Sequence, residues 1–564
     1  MRPLTLYLPL LLSLLVTFTV AHEHTLTPPL QNANHIFNAI HASMRQFGSS
    51  VHHNGMSFFI ASVPKGTKLY HGDASPDLVK EIGWMAFEPE HAMVFARPSR
   101  RQRDRMTMIE MEDESMTQQR PLADDVDEEE PPSDVPGYLH TYAAAKDLRL
   151  LYVDGTSAGK SAIGTLDSQD RILFNDTITG GVSGEDQRAR TVCQLAKNEW
   201  QNRVDGVIRM AAGFEIILCS PEMNLVSVGV MSVPAKTGDT KDIGDGNRDH
   251  EHTPKNGQDK KDKGKEGKPR GKPAGLLRAI TSRFHGIGGE RVKLSYDHFV
   301  TAYNPSYNLD LFAAEVKAGT GSETKGKKPR LQHLSSEELQ PIRNNLTNLI
   351  LDHDGTENSV NWQSIADLTV AKYGPFLRSL LPPKPKDKHK HKPEGKQRPQ
   401  PNTGSKSKDN KKQHQQHQWQ GYELNIASKI AGLMAPFASS SPQEIITLCA
   451  TQFLPAPDAN APLAHQALYS VNYNICSTLV ELSTLLEIMG EGEEDAKLVH
   501  STIRDLMTYL DWTTWKECRG CGDDQFCAVP IWPQGTQGDF EHPRCRTFAA
   551  AWQGEGGYWG PIWD

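Results

Sequence analysis

Leu148-Arg149-Leu150-Leu151-Tyr152-Val153, running into Asp154-Gly155-Thr156-Ser157-Ala158-Gly159-Lys160-Ser161, is the stretch on which the fold class turns. A short apolar run that stops at Asp-Gly reads as a buried strand ended by a tight turn. Downstream, Val192, Leu195, Ala196 and Trp200 recur at helical spacing and predict a helix over Asp186–Val204. Phe214–Cys219 returns to a short apolar run. Upstream, Ser57–Val63 ends at Pro64-Lys65-Gly66, and Lys68–Gly72 reads as a further strand. Strands and helix in this mixture predict an α+β fold, with an N-terminal mixed α/β domain over 30–232.

The loop after Val153 looks like a nucleotide-binding loop, but its spacing argues against that reading and favours a tight Gly-containing turn. Wrapping a phosphate needs four residues between two glycines, so that consecutive amides converge. Three residues separate Gly155 from Gly159, and Asp154 stands where the first glycine belongs. A carboxylate there would repel the phosphate.

The first 21 residues set the compartment. Met1-Arg2 precedes an apolar core at Leu10–Val16, and Thr19-Val20-Ala21 meets His22-Glu23-His24, the pattern of a secretory signal peptide. The core is shorter than the roughly 20 residues of a membrane span. A secreted, oxidised protein with no membrane span is therefore expected. Its net charge of -8 over 564 residues gives no basic field for nucleic acid. The eight cysteines, Cys193, Cys219, Cys449, Cys476, Cys518, Cys521, Cys527 and Cys545, then favour disulfides. Asn175-Asp176-Thr177 and Asn345-Leu346-Thr347 are candidate N-glycan acceptors at Asn175 and Asn345.

Three stretches have too little apolar surface to offset their ordering entropy. They are the Arg-to-acidic insert 99–135, the Lys/Gly/Asp stretch 233–274 and the Lys/His/Pro/Gln stretch 382–418, all expected to be disordered. Between them, 275–381 is expected to be mainly helical, with an amphipathic helix from Trp362 to Leu380 behind a cap at Ser359. The remainder, 419–564, is expected to be a helical bundle ending in a small Cys/Trp-rich region. Ser441-Pro442-Gln443-Glu444 carries a cap, a first-turn proline and a capping-box Glu, and its helix holds Cys449. The following stripe of Leu468, Val471, Ile475, Leu479, Leu482 and Leu486 places Cys476 at its flank. Cys449–Cys476 and Cys193–Cys219 are plausible bridges.

Cys518-Arg519-Gly520-Cys521 with Cys527 and Cys545 has the inventory of a four-thiolate zinc site, but unequal intervals and an oxidising compartment favour two disulfides and no metal. The same region holds Trp512, Trp515, Trp532, Trp552, Trp559 and Trp563. Trp512, Trp515 and Trp532 are expected to fill a small core, whereas the tail Gly554–Asp564 is where exposed indoles could bind a glycan or a protein.

One functional candidate uses three pieces in order: Lys68-Leu69-Tyr70-His71-Gly72, then Phe87-Glu88-Pro89-Glu90-His91-Ala92-Met93-Val94-Phe95-Ala96, then Phe214-Glu215-Ile216-Ile217-Leu218-Cys219. This arrangement resembles the ADP-ribosyltransferase superfamily. The resemblance implies that His71 and Gly72 bind NAD as substrate and that Glu215 is catalytic. A carboxylate beside the ribose gains strength as nicotinamide leaves and positive charge develops. Each residue also has a packing reading: His71 as a hydrogen-bonded turn histidine, Phe87 and Phe95 as core, Glu215 as an outward-facing strand residue. The chain also resembles a group of uncharacterised secreted proteins of filamentous fungi, through Leu69–Gly72, Trp84–Glu88, Asp154–Lys160 and the terminal Cys-rich stretch. That resemblance implies a compartment and no activity. Two readings therefore stand: an ADP-ribosyltransferase-like NAD-using enzyme, or a non-enzymatic extracellular protein that binds glycan or protein.

Overall fold

The computed structural model describes residues 30–97, 136–234, 274–313, 328–382, 425–439, 441–488, 493–551 and 556–560, with backbone alone at 493–496. The signal segment, the insert 99–135 and nearly all of 233–274 and 382–418 lie outside the described residues, as do Trp552 and Trp563.

Nine strands form one sheet: β1 (Ser57–Val63), β2 (Lys68–Asp73), β3 (Gly83–Ala86), β4 (Gly137–Ala144), β5 (Leu148–Val153), β6 (Gly206–Met210), β7 (Phe214–Leu218), β8 (Leu225–Val233) and β9 (Lys293–Thr301). Their order is β8-β4-β2-β3-β7-β6-β5-β1-β9. β5 and β6 are parallel, and the other pairs are antiparallel. A parallel pair needs a crossover, which the helix Glu185–Asn198 supplies. That helix ends before the expected Val204 because Gln201 and Asn202 take left-handed φ values of 51° and 55°.

We number the helices that frame the sheet α1 (Ala33–Ala42), α2 (Gln46–Val51), α3 (Pro89–Ala92), α4 (Glu185–Asn198), α5 (Ala274–Thr281), α6 (Ser336–Asp352), α7 (Trp362–Ser379), α8 (Pro442–Ala450), α9 (Leu463–Ile488) and α10 (Glu493–Leu510). Side chains of successive strand residues leave opposite faces. On one face the Tyr152 hydroxyl accepts from the Met44 amide, 3.2 Å, which seats the α1–α2 link. Behind it, the Asn38 amide donates to the Leu510 carbonyl, 2.9 Å, and Gln363 donates to the Ile40 carbonyl, 3.0 Å. On the other face α3 covers β2, and the first turn of α4 reaches Arg209 of β6.

A single apolar cluster takes Phe58 and Leu151 from 30–232, Leu294, Leu346 and Trp362 from 275–381, and Leu468 and Ile503 from 419–564. The segments between the low-complexity stretches thus share one core, and 275–381 contributes the edge strand β9 as well as helices. Phe58 and Phe59 of β1 are fully buried, each contributing about 1.5–3 kcal/mol by area removed from water.

Ser441 precedes α8, but its side chain makes no cap bond, and the Glu444 carboxylate accepts from the Ser439 hydroxyl instead. Asn361, not Ser359, caps α7, accepting from the Ser364 amide at 3.1 Å. Ser359 is engaged by Asp297 of β9.

All eight cysteines are paired: Cys193–Cys219, Cys449–Cys476, Cys518–Cys527 and Cys521–Cys545. The last two staple the hairpin β10 (Gln525–Ala528) to β11 (Arg544–Thr547) and the chain before it. The sulfurs of Cys518, Cys521 and Cys545 lie close together, but disulfide sulfur is not the thiolate that zinc needs.

Candidate functional site

Glu215 is the second residue of β7 and is 7% exposed. Its partner is Arg209, six residues earlier on β6 and its register mate across the hairpin. The Arg209 guanidinium donates to Glu215 Oε1 at 2.6 Å and to Gln169 Oε1 at 2.9 Å, and it pairs with Glu185 at the start of α4. Arg188, one turn along α4, grips Asp170 through two bonds of 2.8 and 2.7 Å. Lys160, from the loop after β5, is 2% exposed and adds positive charge that both carboxylates feel. Two carboxylates thus share one guanidinium away from water, and they divide. Burial and the repulsion of Glu185 raise Glu215 against the pull of Arg209. For Glu185, burial is outweighed by Arg209, Lys160 and Arg188, and its carboxyl is lowered. The packing reading of Glu215 as an outward-facing strand residue is corrected: it is the inner anchor of an ion cluster locking β6 and β7 to α4.

His71 is fully buried on β2 and donates Nδ1–H to the Trp84 carbonyl at 2.8 Å. Its Nε2 lies 4.0 Å from Asp73, and its ring meets His140 edge-on at 5.7 Å. A Cβ on Gly72 would stand 2.0 Å from the Ala92 carbonyl, so only glycine lets α3 approach β2 there. The pairing Tyr70↔Ala86↔Glu215 runs straight across β2, β3 and β7. Tyr70 and Glu215 therefore share a face, and His71, next along β2, leaves by the other. The structure does not bring His71 and Glu215 into one cleft.

The loop Asp154–Ser161 spends its amides inside the protein. Thr156 donates to the His53 carbonyl at 2.9 Å, Ala158 to Met210 at 2.8 Å and Gly159 to Thr156 at 2.8 Å. The C-terminal region closes over it: Trp532 Nε1 donates to the Lys160 carbonyl at 3.2 Å, and Trp532 and Trp559 pack on Ala158 and Ala211. Trp512, Trp532 and Trp559 are all at most 2% exposed, and Trp515 is half-buried. For Trp559 this corrects the expectation of exposure in the tail, since its indole N–H reaches the Gln534 carbonyl at 3.0 Å and its ring fills the cap over the loop. Asn175 and Asn345 are both exposed.

A cavity of about 310 Å³ opens elsewhere, between the entry to α1 and the chain after β9. Gln31, Asn32, Asn308, Asp310 and Phe312 line it, with Leu309 and Leu311. Asn32 and Asn308 both take left-handed backbone, with φ 59° and 50°, which turns the chain tightly at each wall. Asn32 donates to the Tyr303 carbonyl at 3.1 Å, and Asp310 accepts from the Phe312 amide at 3.1 Å. The Phe312 ring stacks on His35 at 4.7 Å, and His35 in turn stacks on Tyr303 at 5.0 Å. Burial pulls His35 down to about 4, so this stack is neutral at pH 7. Such a wall offers amide donors, amide and carboxylate acceptors and one aromatic face. No sequence motif marked it, because Gln31 and Phe312 are far apart in the chain; the polar run Asn304-Pro305-Ser306-Tyr307-Asn308-Leu309-Asp310 was the only local signal.

Comparison with known proteins bears on the sheet domain. Two proteins of Saccharomyces cerevisiae, the uncharacterized proteins YPL277C and YOR389W, are each 30% identical to this chain, over 234 and 233 residues. Each match covers 38% of this chain, and the chain spans 46% and 36% of the lengths of these curated relatives. No solved structure matches. Residues 21–265, which carry β1 to β8, the Glu215 cluster and His71, match the family model of the YPL277C N-terminal domain and so place this part of the chain beside an uncharacterised family.

Proposed function

We propose that this is a secreted, non-enzymatic glycan-binding protein whose site is the cavity walled by Gln31, Asn32, Asn308, Asp310 and Phe312. The composition of that wall is the observation that carries the reading. Hydroxyl-rich ligands need donors and acceptors close together, and the C–H face of a sugar ring packs on an aromatic ring. Hydrolysis of a glycosidic bond uses two carboxyl groups flanking the bond, whereas Asp310 is the one carboxylate among the described lining residues. Four disulfides support the extracellular part of the reading.

The NAD-using reading asks His71 and Glu215 to meet one ligand, and their opposite faces give it less support than the cavity gives binding. The test is binding of the purified secreted protein to a panel of mono- and oligosaccharides, beside Asp310→Ala and Phe312→Ala. Saturable binding to one glycan class that both variants lose supports the proposal. Absence of binding across the panel, or binding that neither variant weakens, sinks it. Nicotinamide release from NAD that vanishes in Glu215→Gln would restore the enzyme reading.

A further inference from the structure

The two edges of the nine-stranded sheet are treated differently. Along β9, the Asn358 side chain accepts from the Tyr296 and Asp297 amides at 2.5 and 3.1 Å and donates to the Leu294 carbonyl at 2.8 Å. That edge is plugged. Along β8, no described residue pairs with the outer side, and both faces of the strand are open from Val226 to Ser232. Val226, Val228, Val230 and Met231 are 55%, 52%, 39% and 55% exposed, large apolar side chains divided between the two faces and held in water. Leu225–Val233 contains no charged residue. Exposed edges are normally guarded by lysines, inward charges, bulges or proline. Here the guards are a register shift at Val228 and Pro234 just beyond the end.

We infer that β8 is an interface between two copies of this chain, which join their sheets through an antiparallel β8–β8 pair. A strand without charge meets its own copy without repulsion, whereas a charged partner strand would find no counter-charge on it. Antiparallel pairing is the two-fold arrangement, in which each copy uses the same patch. It also lets the Lys/Gly/Asp stretches that follow Pro234 leave from opposite ends of the joint, roughly 30 Å apart for nine residues at about 3.3 Å each. Parallel pairing would set those stretches side by side. Pairing satisfies the open backbone row and covers the valines, which supply the affinity and the register respectively.

The test is light-scattering mass of the full secreted protein across a dilution series, beside Val230→Lys and the Val226→Lys/Val230→Lys double variant. Both positions face water, so the variants keep the fold, which an unchanged circular dichroism melt verifies. The expected result is twice the mass of one chain for the natural sequence and a single-chain mass for the double variant. A single-chain mass at every concentration overturns the inference, as does a dimer that survives the double variant. Slow hydrogen exchange at β8 in a protein of single-chain mass overturns it too, because another part of the same chain would then cover the edge.

Discussion

The hydroxyl of Tyr558 lies 2.8 Å from Nε2 of His53, tying the C-terminal tail to the turn that leads into β1. The Tyr558 ring stacks on Phe540 at 4.9 Å, and Lys328 and Lys516 stand over Phe540 at 4.6 and 3.5 Å. Tyr558→Phe keeps the stack and removes the bond, so stability should fall by about 1 kcal/mol. Urea denaturation checks the size of the loss, and faster proteolysis near the tail checks its location.

Arg209→Ala should cost more than Glu215→Gln, although both remove one member of the same contact. The first leaves Glu185 and Glu215 buried and uncompensated, a loss of about 3–5 kcal/mol. The second keeps an oxygen for the Arg209 guanidinium, and Glu215 is already raised by burial, so the loss should stay near 1 kcal/mol. Equal losses in chemical denaturation would mean that the two carboxylates do not depend on Arg209.

Asp154 is buried with its carboxylate accepting from the Ser57 amide at 2.8 Å, and burial pushes its carboxyl from 3.8 up to about 7. A folded-state value above the unfolded one gives stability that is full below about 4 and is lost as pH rises through 7. Asp154→Asn keeps the acceptor and cannot ionise. It should stabilise the protein by about 2 kcal/mol or more at pH 8 and by nothing at pH 4, compared by denaturation at both values.

His35 works in the opposite direction. Its value near 4 lies below the ordinary 6.5, so its contribution is present above 6.5 and is lost as pH falls toward 4. His35→Phe preserves the stack between Tyr303 and Phe312 without the titration. The variant should match the natural protein at pH 7.5 and exceed it by about 1–2 kcal/mol at pH 5. A constant difference across pH would assign the effect to packing alone.

Removing Cys449–Cys476 by double alanine substitution frees a 27-residue separation and should cost about 2–4 kcal/mol. Removing Cys518–Cys527, which spans 9 residues, should cost less. Thermal melts of the two variants give the order.

What could be read in the chain follows from how local each signal was. β1 and β5 match their expected bounds, Ser57–Val63 and Leu148–Val153, because each is a continuous apolar run stopped by Pro-Lys-Gly or Asp-Gly. The bridge Cys193–Cys219 was legible once the helix and the apolar run Phe214–Cys219 were placed. β8 and β9 were not, since Gly229 and Asp297 with His298 interrupt their apolar patterns, and pairing with β4 and β1 decides both. Glu215 stood out as a carboxylate in an apolar strand, yet its faces and partner depended on the register of three strands. The cavity at Asp310 needed residues from both sides of the whole sheet domain.

The place of β1 in the sheet has a consequence for synthesis. β1 is flanked by β5 and β9, so neither of its neighbours exists when it leaves the ribosome. From Ser57 to Lys293 the ribosome needs roughly 12–47 s at about 5–20 residues per second. Until Leu148–Val153 follows, Phe58, Phe59 and Ile60 present an unpaired, apolar strand to whatever surrounds the nascent chain, and for the rest of that interval the edge that β9 covers stays open. A truncated chain ending before Lys293 should therefore bind holding chaperones, and the full chain should be released from them.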